Sequence, residues 1–597
     1  MDPTRLPTKG SSMSRLLALA ATAALFLAPG ARAEAPASGA APVDPKVDPA
    51  VKAAIEKAKQ ELREELRPEI QGLQSRAEFL GAAAEGPKLQ LLELDGYLRV
   101  RGDLLDNLAL KRGLDANGEF LVPRPIFNET ARGTQSTANM RLRLIPTLNV
   151  SEHVRARAQV DLLDDYVLGT SAGGPAGGAA PVDRPAIDVK RAWGEVETPV
   201  GLLSVGRMPS AFGLGLVASD ANGLDDDFGD TRDRLQFATL PLSTPLGQLS
   251  LVPFLDFDAE GTLQVDRRAA AGTGQPFDRD RADDARTWGL KLLRLDTDAE
   301  LRRKLERGEK SLNYGAMYLY STVNKVKNPY WVAPEGGVPV NNLREEYYDR
   351  TEYRHQLSLW GRLRTARFSV EAELSGVTGQ IGDPGPYSAT LDWDDQQLLM
   401  RQLGGAVRAA WQVAPNKVTL GGELGFASGD PAPGFGNRPG QLRSRDADGN
   451  PVSPTTLPVY GALEGPQYGP GDRVLRNFRF NPGYRVDLIL WREILGSVTD
   501  AWYLKPTLRW EILSGLALDA QLVYSQAMYA SSTPSATALG TGKKPLGVEL
   551  DTKVDYSTDD GFGAWLQYGV LFPLGGFDGS GGLTRAHAFR AGVALRF

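Results

Sequence analysis

The stretch NMRLRLIPTLNVSEHVRARAQVDLLDD, residues 139–165, alternates apolar with charged or polar side chains twice in succession. In its first half every second residue from Met140 to Leu148 is apolar, and Arg141 and Arg143 stand between them. The second half sets Ala156, Ala158, Val160 and Leu162 against Arg155, Arg157, Gln159 and Asp161. Because successive side chains of a strand point to opposite faces, the pattern predicts two antiparallel β-strands joined by the short turn SEH.

The same alternation recurs along most of the chain, in segments of about ten to thirteen residues. Strands of that length cross a bilayer at a tilt, whereas a soluble β-sandwich, whose strands also alternate, needs only short ones. The polar faces carry full charges, which suits a water-filled interior. The sequence therefore predicts an all-β chain that forms a transmembrane antiparallel β-barrel over residues 92–597.

We predict about eighteen strands (16–18), an even number as expected of a single-chain bacterial barrel. They cover residues 92–104, 138–150, 153–165, 187–198, 201–208, 234–241, 247–258, 285–296, 311–323, 352–364, 367–379, 400–413, 416–428, 501–512, 516–527, 546–557, 561–573 and 586–597. Links at one end of these strands are short, and links at the other end include the long 166–186, 259–284 and 429–500. This sorting is typical of short periplasmic turns and long outer loops. The link 297–310 departs from it and is predicted to be a short charged helix.

The N-terminus has the layout of a secretory signal peptide. From Met13, a start that would leave residues 1–12 outside the protein, one arginine precedes an apolar run that ends at the small-residue site Ala31–Ala33. The signal peptide is thus assigned to residues 1–33 and an Ala/Pro-rich linker to 34–50. Residues 51–80 have apolar side chains at helical spacing and predict an amphipathic periplasmic helix, with a coiled-coil segment as the alternative.

Composition excludes several classes of function. The chain has no cysteine, which excludes disulfides, thiolate metal sites and cysteine nucleophiles, and its net charge of −6 gives no argument for nucleic-acid binding. Its three histidines lie far apart: His153 is predicted in a periplasmic turn, and His355 and His587 on the lipid-facing register of two strands. We therefore expect neither an enzyme nor a cofactor.

The acidic stretch LVASDANGLDDDFGDTRDR, residues 216–234, raises the question of a metal site. An EF-hand loop counted from Asp220 would need an oxygen ligand at position 5 and a glutamate at position 12, where this chain has Leu224 and Thr231. No metal site is predicted, although calcium held between outer loops by a looser set of carboxylates stays open.

Two segments resemble a known family. Residues 206–237 are similar to one part of alginate-export and related outer-membrane porins; their sequence is GRMPSAFGLGLVASDANGLDDDFGDTRDRLQF. That part of the porins carries a Gly-Arg pair, a Phe-Gly turn, a Ser-Asp-x-Asn element and an arginine-ended strand. GELGFASGD, residues 422–430, resembles the strand and loop opening of the same porins. The resemblance implies an eighteen-stranded channel with a charged constriction. In such porins the third outer loop often folds into the lumen.

Strand counting makes the acidic stretch the third outer loop. Our hypothesis is that this loop and the start of the returning strand form or border a pore constriction, through Asp220, Asp225, Asp226, Asp227, Asp230, Arg232 and Arg234. The lumen-facing register of the first three strands supplies a basic wall, made of Arg99, Arg101, Arg141, Arg143, Arg155 and Arg157. Opposed charges of this kind select polar or charged solutes. The alternative is an acidic loop tip that points outward into solvent.

These patterns predict a channel in the bacterial outer membrane that passes small or oligomeric polar solutes, anionic ones among them. The alternative is a structural or adhesive barrel with a sealed lumen and functional surface loops. The last strand, AHAFRAGVALRF, ends in Phe597 and resembles the signal with which such proteins engage the barrel-insertion machinery. Outer-membrane lipid, that machinery and a small polar solute are the expected partners, and the sequence does not fix an oligomeric state.

Overall fold

The computed structural model describes residues 91–112, 133–168, 187–227, 229–245, 247–259, 283–327, 347–382, 397–431, 474–533, 543–577 and 582–597. The predicted signal peptide, linker and amphipathic helix lie outside these residues. No helix among the described residues is long and apolar enough to cross a membrane.

The described residues form twenty strands in chain order. They are β1 (Leu92–Asp106), β2 (Gln135–Asn149), β3 (Val154–Val167), β4 (Ile187–Thr198), β5 (Gly201–Pro209), β6 (Thr231–Thr239), β7 (Leu242–Thr244), β8 (Gly247–Ala259), β9 (Ala285–Arg294), β10 (Ser311–Lys327), β11 (Tyr347–Arg364), β12 (Phe368–Ile381), β13 (Leu398–Ala414), β14 (Val418–Ala427), β15 (Val474–Leu475), β16 (Ala501–Leu513), β17 (Leu516–Ala527), β18 (Pro545–Ser557), β19 (Phe562–Pro573) and β20 (Ala586–Arg596). Strands β7 and β15 are short and lie beside the ring, pairing with β8 and β13 respectively. The other eighteen pair with their neighbours in antiparallel register, and β1 pairs with β20 to close the barrel.

Each predicted strand has a counterpart in the ring. The largest difference is at the start of β11, which begins at Tyr347 rather than at residue 352. The prediction for 297–310 is also confirmed, since α1 (Asp298–Glu306) forms there. Its N-terminus is fixed by a capping box, in which Thr297 and Glu300 each accept a hydrogen bond from the other's backbone N–H. The predicted antiparallel barrel of eighteen strands is therefore confirmed.

The two faces of the strands differ as the alternation requires. In β1, the side chains of Tyr97, Arg99, Arg101 and Asp103 are buried inside the ring, while Leu94 on the opposite face is half exposed. Large apolar side chains cover the outer face all around the ring, among them Leu148, Val205, Leu290, Leu359, Leu424, Leu508 and Leu566. A closed antiparallel ring with an apolar outer face and a charged interior is the architecture of an outer-membrane barrel, and the predicted location in the bacterial outer membrane is confirmed.

The seam between β1 and β20 depends on one glycine. Gly96 and Phe597 exchange two backbone hydrogen bonds, from Gly96 N to Phe597 O at 3.0 Å and from Phe597 N to Gly96 O at 3.1 Å. A Cβ on Gly96 would lie 2.9 Å from the Phe597 ring and closer still to the carbonyl oxygen of Arg143. Glycine is therefore required for the terminal aromatic ring to lie over the seam.

We expect Gly96→Val to destabilise the folded barrel by about 1–3 kcal/mol, since overpacking at this contact displaces the Phe597 ring. The measurement is the temperature at which the folded band disappears in SDS gels. Gly102→Val is the matched control, because Gly102 lies on the same strand and face but a Cβ there meets only one atom, at 3.9 Å. Equal transition temperatures for the two variants would contradict the role of Gly96.

Candidate functional site

The third outer loop, residues 210–230, crosses the interior of the barrel. At one end of the crossing its backbone N–H groups at Leu214 and Leu216 donate to Glu373 on β12, at 2.7 and 3.3 Å. At the other end the carbonyl oxygen of Leu224 accepts a hydrogen bond from Arg99 on β1, at 3.0 Å. Strands β1 and β12 lie on nearly opposite sides of the ring, so a loop that contacts both must span the lumen.

Two loop carboxylates pair with the basic wall. Arg101 Nη1 lies 3.2 Å from Asp225 Oδ1 and 2.9 Å from Asp227 Oδ1, and Arg99 lies 3.7 Å from Asp227. Arg99 is fully buried at 0% exposure and Arg101 is 5% exposed. A buried guanidinium without a partner carries a large desolvation cost, so these carboxylates also stabilise the wall.

The neighbouring arginines hold the backbone and amide groups of the loop. Arg141 on β2 donates to the carbonyl oxygen of Asp226 at 2.8 Å, and Arg191 on β4 donates to that of Asp220 at 2.8 Å. Asn222 Oδ1 accepts from Arg191 at 3.1 Å. Donors from several strands therefore fix the path of the loop as well as its charges.

Arg191 was missed by the sequence analysis. In β4, Gln159 on the neighbouring strand pairs with Arg191 and the next residue, Val160, pairs with Val189, which leaves Lys190 as an extra residue in a β-bulge. Strict alternation from Val189 would turn Arg191 outward, whereas the bulge turns it into the lumen. Alternation does not reveal a bulge, so the sequence pattern could not show that Arg191 faces the lumen.

Glu373 and Gly213 complete the contact with the opposite wall. Gly213 belongs to the Phe-Gly turn of the family resemblance, whereas no pattern in the sequence pointed to Glu373. Gly213 has a positive φ of 59°, and a Cβ at this position would lie 2.7 Å from Glu373 Oε2. The loop backbone can therefore approach the carboxylate only because this residue is glycine.

The remaining predicted loop residues have more local roles. Asp226 Oδ2 accepts the N–H of Gly223 at 2.8 Å, and Asp230 Oδ2 accepts the N–H of Ser219 at 2.8 Å. Asp220 is 1% exposed, and burial raises the pKa of its carboxyl to about 7.

The predicted arginines beyond the loop lie on the wall with acidic neighbours. On β6, Arg232 pairs with Asp258 at 2.7 Å, and Arg234 makes a two-pronged contact with Asp256 at 2.5 and 2.8 Å. On β3, Arg155 and Arg157 both approach Glu195 Oε2, at 3.7 and 3.5 Å, and Arg143 on β2 pairs with Asp161 at 2.7 Å.

A second segment, residues 480–498, also lies inside the barrel, and we call it the inner segment. These residues belong to the long link predicted at 429–500, and the sequence did not reveal that part of this link folds into the lumen. Nine of the inner segment's apolar side chains belong to the main buried cluster: Phe480, Val486, Leu488, Ile489, Leu490, Trp491, Ile494, Leu495 and Val498. They pack against small and apolar lumen residues of the wall, including Ala501, Val523, Ala527, Leu546, Leu571, Ala586 and Ala588. The apolar run VDLILW, residues 486–491, was the available signal.

Polar contacts anchor the inner segment to strands β14, β17 and β18. Glu549 on β18 accepts three backbone N–H groups, from Leu488, Ile489 and Leu490, at 3.0, 2.7 and 2.9 Å. Tyr484 donates to Glu423 on β14 at 2.9 Å. Trp491 Nε1 donates to the Ser525 hydroxyl on β17 at 2.9 Å. The carboxylate of Glu549 thereby satisfies the amino end of the π-helical turn Leu490–Ile494.

Arg492 joins the inner segment to the third outer loop. Its Nη1 lies 2.7 Å from Asp225 Oδ2 and its Nη2 lies 3.5 Å from Asp227 Oδ2. Burial opposes ionisation of Asp225, but Arg492, Arg590 and Arg101 outweigh it and hold the pKa of that carboxyl below its usual range. Asp225 is therefore ionised at neutral pH, and the two interior segments form one charged network.

Two cavities remain beside the third outer loop. One, of about 620 Å³, lies between the loop and strands β2 to β8, and its lining includes Arg141, Arg143, Arg191, Asp226 and Asp230. The other, of about 630 Å³, is lined mainly by strands β6 to β13 and includes Arg234, Arg354 and Met317. Both lie away from the anchors of the inner segment on β17 and β18.

The histidines take no part in this arrangement. His355 and His587 lie on the outer face, where Tyr318 and Tyr568 hydroxyls contact their Nδ1 atoms at 2.7 and 2.9 Å, as the register predicted. Within the described ranges, no group of three or more His, Cys, Asp or Glu side chains is arranged to hold a metal ion.

No protein-family model and no curated protein sequence matches the chain. Among solved structures, OccK8 (OprE) of Pseudomonas aeruginosa matches with 11% identity and a TM-score of 0.40, covering 85% of this chain and 98% of its own. OpdK of P. aeruginosa with vanillate gives 8% identity and a TM-score of 0.40, covering 85% and 98%. OccAB3 of Acinetobacter baumannii gives 11% and 0.40, covering 85% and 99%. Sequence identities and TM-scores this low carry no argument about function. The resemblance to alginate-export porins stays a prediction.

Proposed function

We propose that this protein is an outer-membrane channel for small or oligomeric polar solutes, anionic ones among them, and that the third outer loop forms its constriction. The observation that carries the proposal is the position of the loop, which crosses the lumen with Asp225 and Asp227 facing Arg99, Arg101 and Arg492. A charged loop held against an oppositely charged wall narrows a pore and sets up a transverse field within it.

The passage runs beside the third outer loop on the side of strands β2 to β13. Both cavities lie there, with volumes of about 620 and 630 Å³. The opposite side of the lumen is filled by the inner segment, whose apolar side chains are packed to 8% exposure or less. Polar solutes are stabilised by the charged lining of the first side and have no such partners on the second.

Asp220, Asp225, Asp226, Asp227 and Asp230 contribute the loop side of the constriction in this proposal, and Arg232 and Arg234 contribute the wall. Arg99, Arg101, Arg141 and Arg143 form the facing basic wall. The alternative function, a sealed barrel with functional surface loops, is favoured by the inner segment, which fills part of the lumen.

Planar-bilayer recording on the refolded protein separates the two. A channel is expected to give discrete current steps in potassium chloride, with a reversal potential in a salt gradient that reflects charge selectivity. A protein that inserts into the bilayer but never carries current, at any voltage or salt concentration, would remove the channel proposal and leave the sealed barrel.

A further inference from the structure

The cavity lined mainly by strands β6 to β13 has an excess of positive charge. Its lining contains six arginines and only three carboxylates: Arg232, Arg234, Arg286, Arg350, Arg354 and Arg479, with Asp256, Asp258 and Glu352. Four of the arginines are neutralised, since Arg232, Arg234 and Arg350 pair with the three lining carboxylates and Arg286 pairs with Asp284. Two remain.

Arg354 and Arg479 are the two remaining cations. Arg354 lies on the lumen register of β11, opposite Ser321 of β10, and its side chain is exposed to the interior. Arg479 lies where the chain enters the inner segment and is also exposed. Within the described part of the chain no carboxylate pairs with either of them. Two free guanidinium groups beside one cavity attract an anion, which Arg binds with charge-assisted hydrogen bonds.

The same cavity has an extended apolar lining. Aliphatic and thioether side chains from four strands and the third outer loop contribute to it, together with the aromatic ring that precedes the inner segment: Val217, Met317, Leu319, Val323, Val377, Ile381, Met400, Leu475 and Phe478. A purely polar solute gains little binding free energy from such a surface. An apolar group binds more tightly there, because contact with the lining removes apolar surface from water. A volume of about 630 Å³ is also within the range of sites that enclose whole small molecules.

We infer that this cavity is a binding site for amphipathic organic anions, in which Arg354 and Arg479 hold the anionic group and the aliphatic lining holds an apolar body such as a medium-length alkyl chain. The inference rests on the proposed function and narrows its solute class. Flexible methionine side chains at Met317 and Met400 suit a site that accepts alkyl bodies of differing shape.

Block of the channel current by three probes tests the site. Octanoate has both features, acetate has the charge alone, and octanamide has the apolar body alone. We expect octanoate to block at a concentration on the order of tenfold below that of either of the others, because both parts of the site contribute. Equal blocking concentrations for octanoate and acetate would overturn the apolar part of the site.

The double variant Arg354→Gln/Arg479→Gln should raise the blocking concentration of octanoate on the order of tenfold, through loss of charge-assisted contacts. Arg401→Gln is the matched control, because Arg401 is an exposed arginine on the outer face of β13 and should leave block unchanged. Block that is the same in the double variant and the wild type would overturn the role of the two arginines.

Equilibrium dialysis of labelled octanoate against the barrel in lipid nanodiscs separates this inference from the channel proposal. Saturable binding that is lost in Arg354→Gln/Arg479→Gln supports the site even if the protein carries no current. Binding that matches empty nanodiscs overturns the site even if the protein conducts.

Discussion

Deletion of residues 482–496, with Asn481 joined to Ser497 through two glycines, is expected to raise the single-channel conductance several-fold. The inner segment fills the lumen beside strands β14 to β20, and its removal opens that area to water. The ends of the deletion lie side by side already, since Phe480 N donates to Val498 O at 2.9 Å and Arg479 bridges Thr499. A two-residue connection therefore closes the gap without moving either end.

A deletion of equal length elsewhere in the same long link, residues 440–454, serves as the control. It lies outside the described residues, and it shortens the link without removing any of the interior contacts described for the inner segment. We expect its conductance to match the wild type. If removal of 482–496 also leaves conductance at the wild-type level, the inner segment does not obstruct the pore.

The second large effect is expected from Asp225→Asn combined with Asp227→Asn. The substitutions remove the partners of Arg99, Arg101 and Arg492 while keeping the size of the side chains. Breaking a buried ion pair from one side costs about 3–5 kcal/mol, so the loop loses much of its attachment to the basic wall. The uncompensated guanidinium groups then face the passage. We expect a several-fold rise in the ratio of anion to cation permeability, together with a larger conductance.

Reversal potentials in a potassium chloride gradient measure this ratio. Asp560→Asn is the matched control, because Asp560 is exposed in the turn between β18 and β19 and lines neither cavity. It should leave the ratio unchanged. A double variant with wild-type selectivity would place Asp225 and Asp227 outside the conducting path.

Much of the basic wall could be predicted from sequence. Arg99, Arg101, Arg141 and Arg143 follow from strict alternation, because in a regular strand the face of a side chain depends only on its parity. Arg191 could not, because the bulge at Lys190 changes that parity. Partners such as Glu373 and Arg492 could not either, since their contacts with the loop are made across 157 or more residues of chain.

The direction of the third outer loop was beyond sequence reasoning for a related reason. An acidic loop is equally compatible with water outside the barrel and with arginines inside it. The choice depends on whether oppositely charged groups are in place to offset the loss of hydration. Here those groups come from β1, β2, β4 and the inner segment at once, and only the closed ring brings them together.

The sequence by itself determined that this chain is an outer-membrane barrel of eighteen strands with a charged interior, because strand periodicity and loop lengths are local properties. It also located the acidic stretch of the proposed constriction, residues 216–234. The tertiary structure decided that this stretch lies across the lumen and that residues 480–498 fill one side of it. Both depend on contacts between distant parts of the chain, whose energies exist only once the barrel has closed around them.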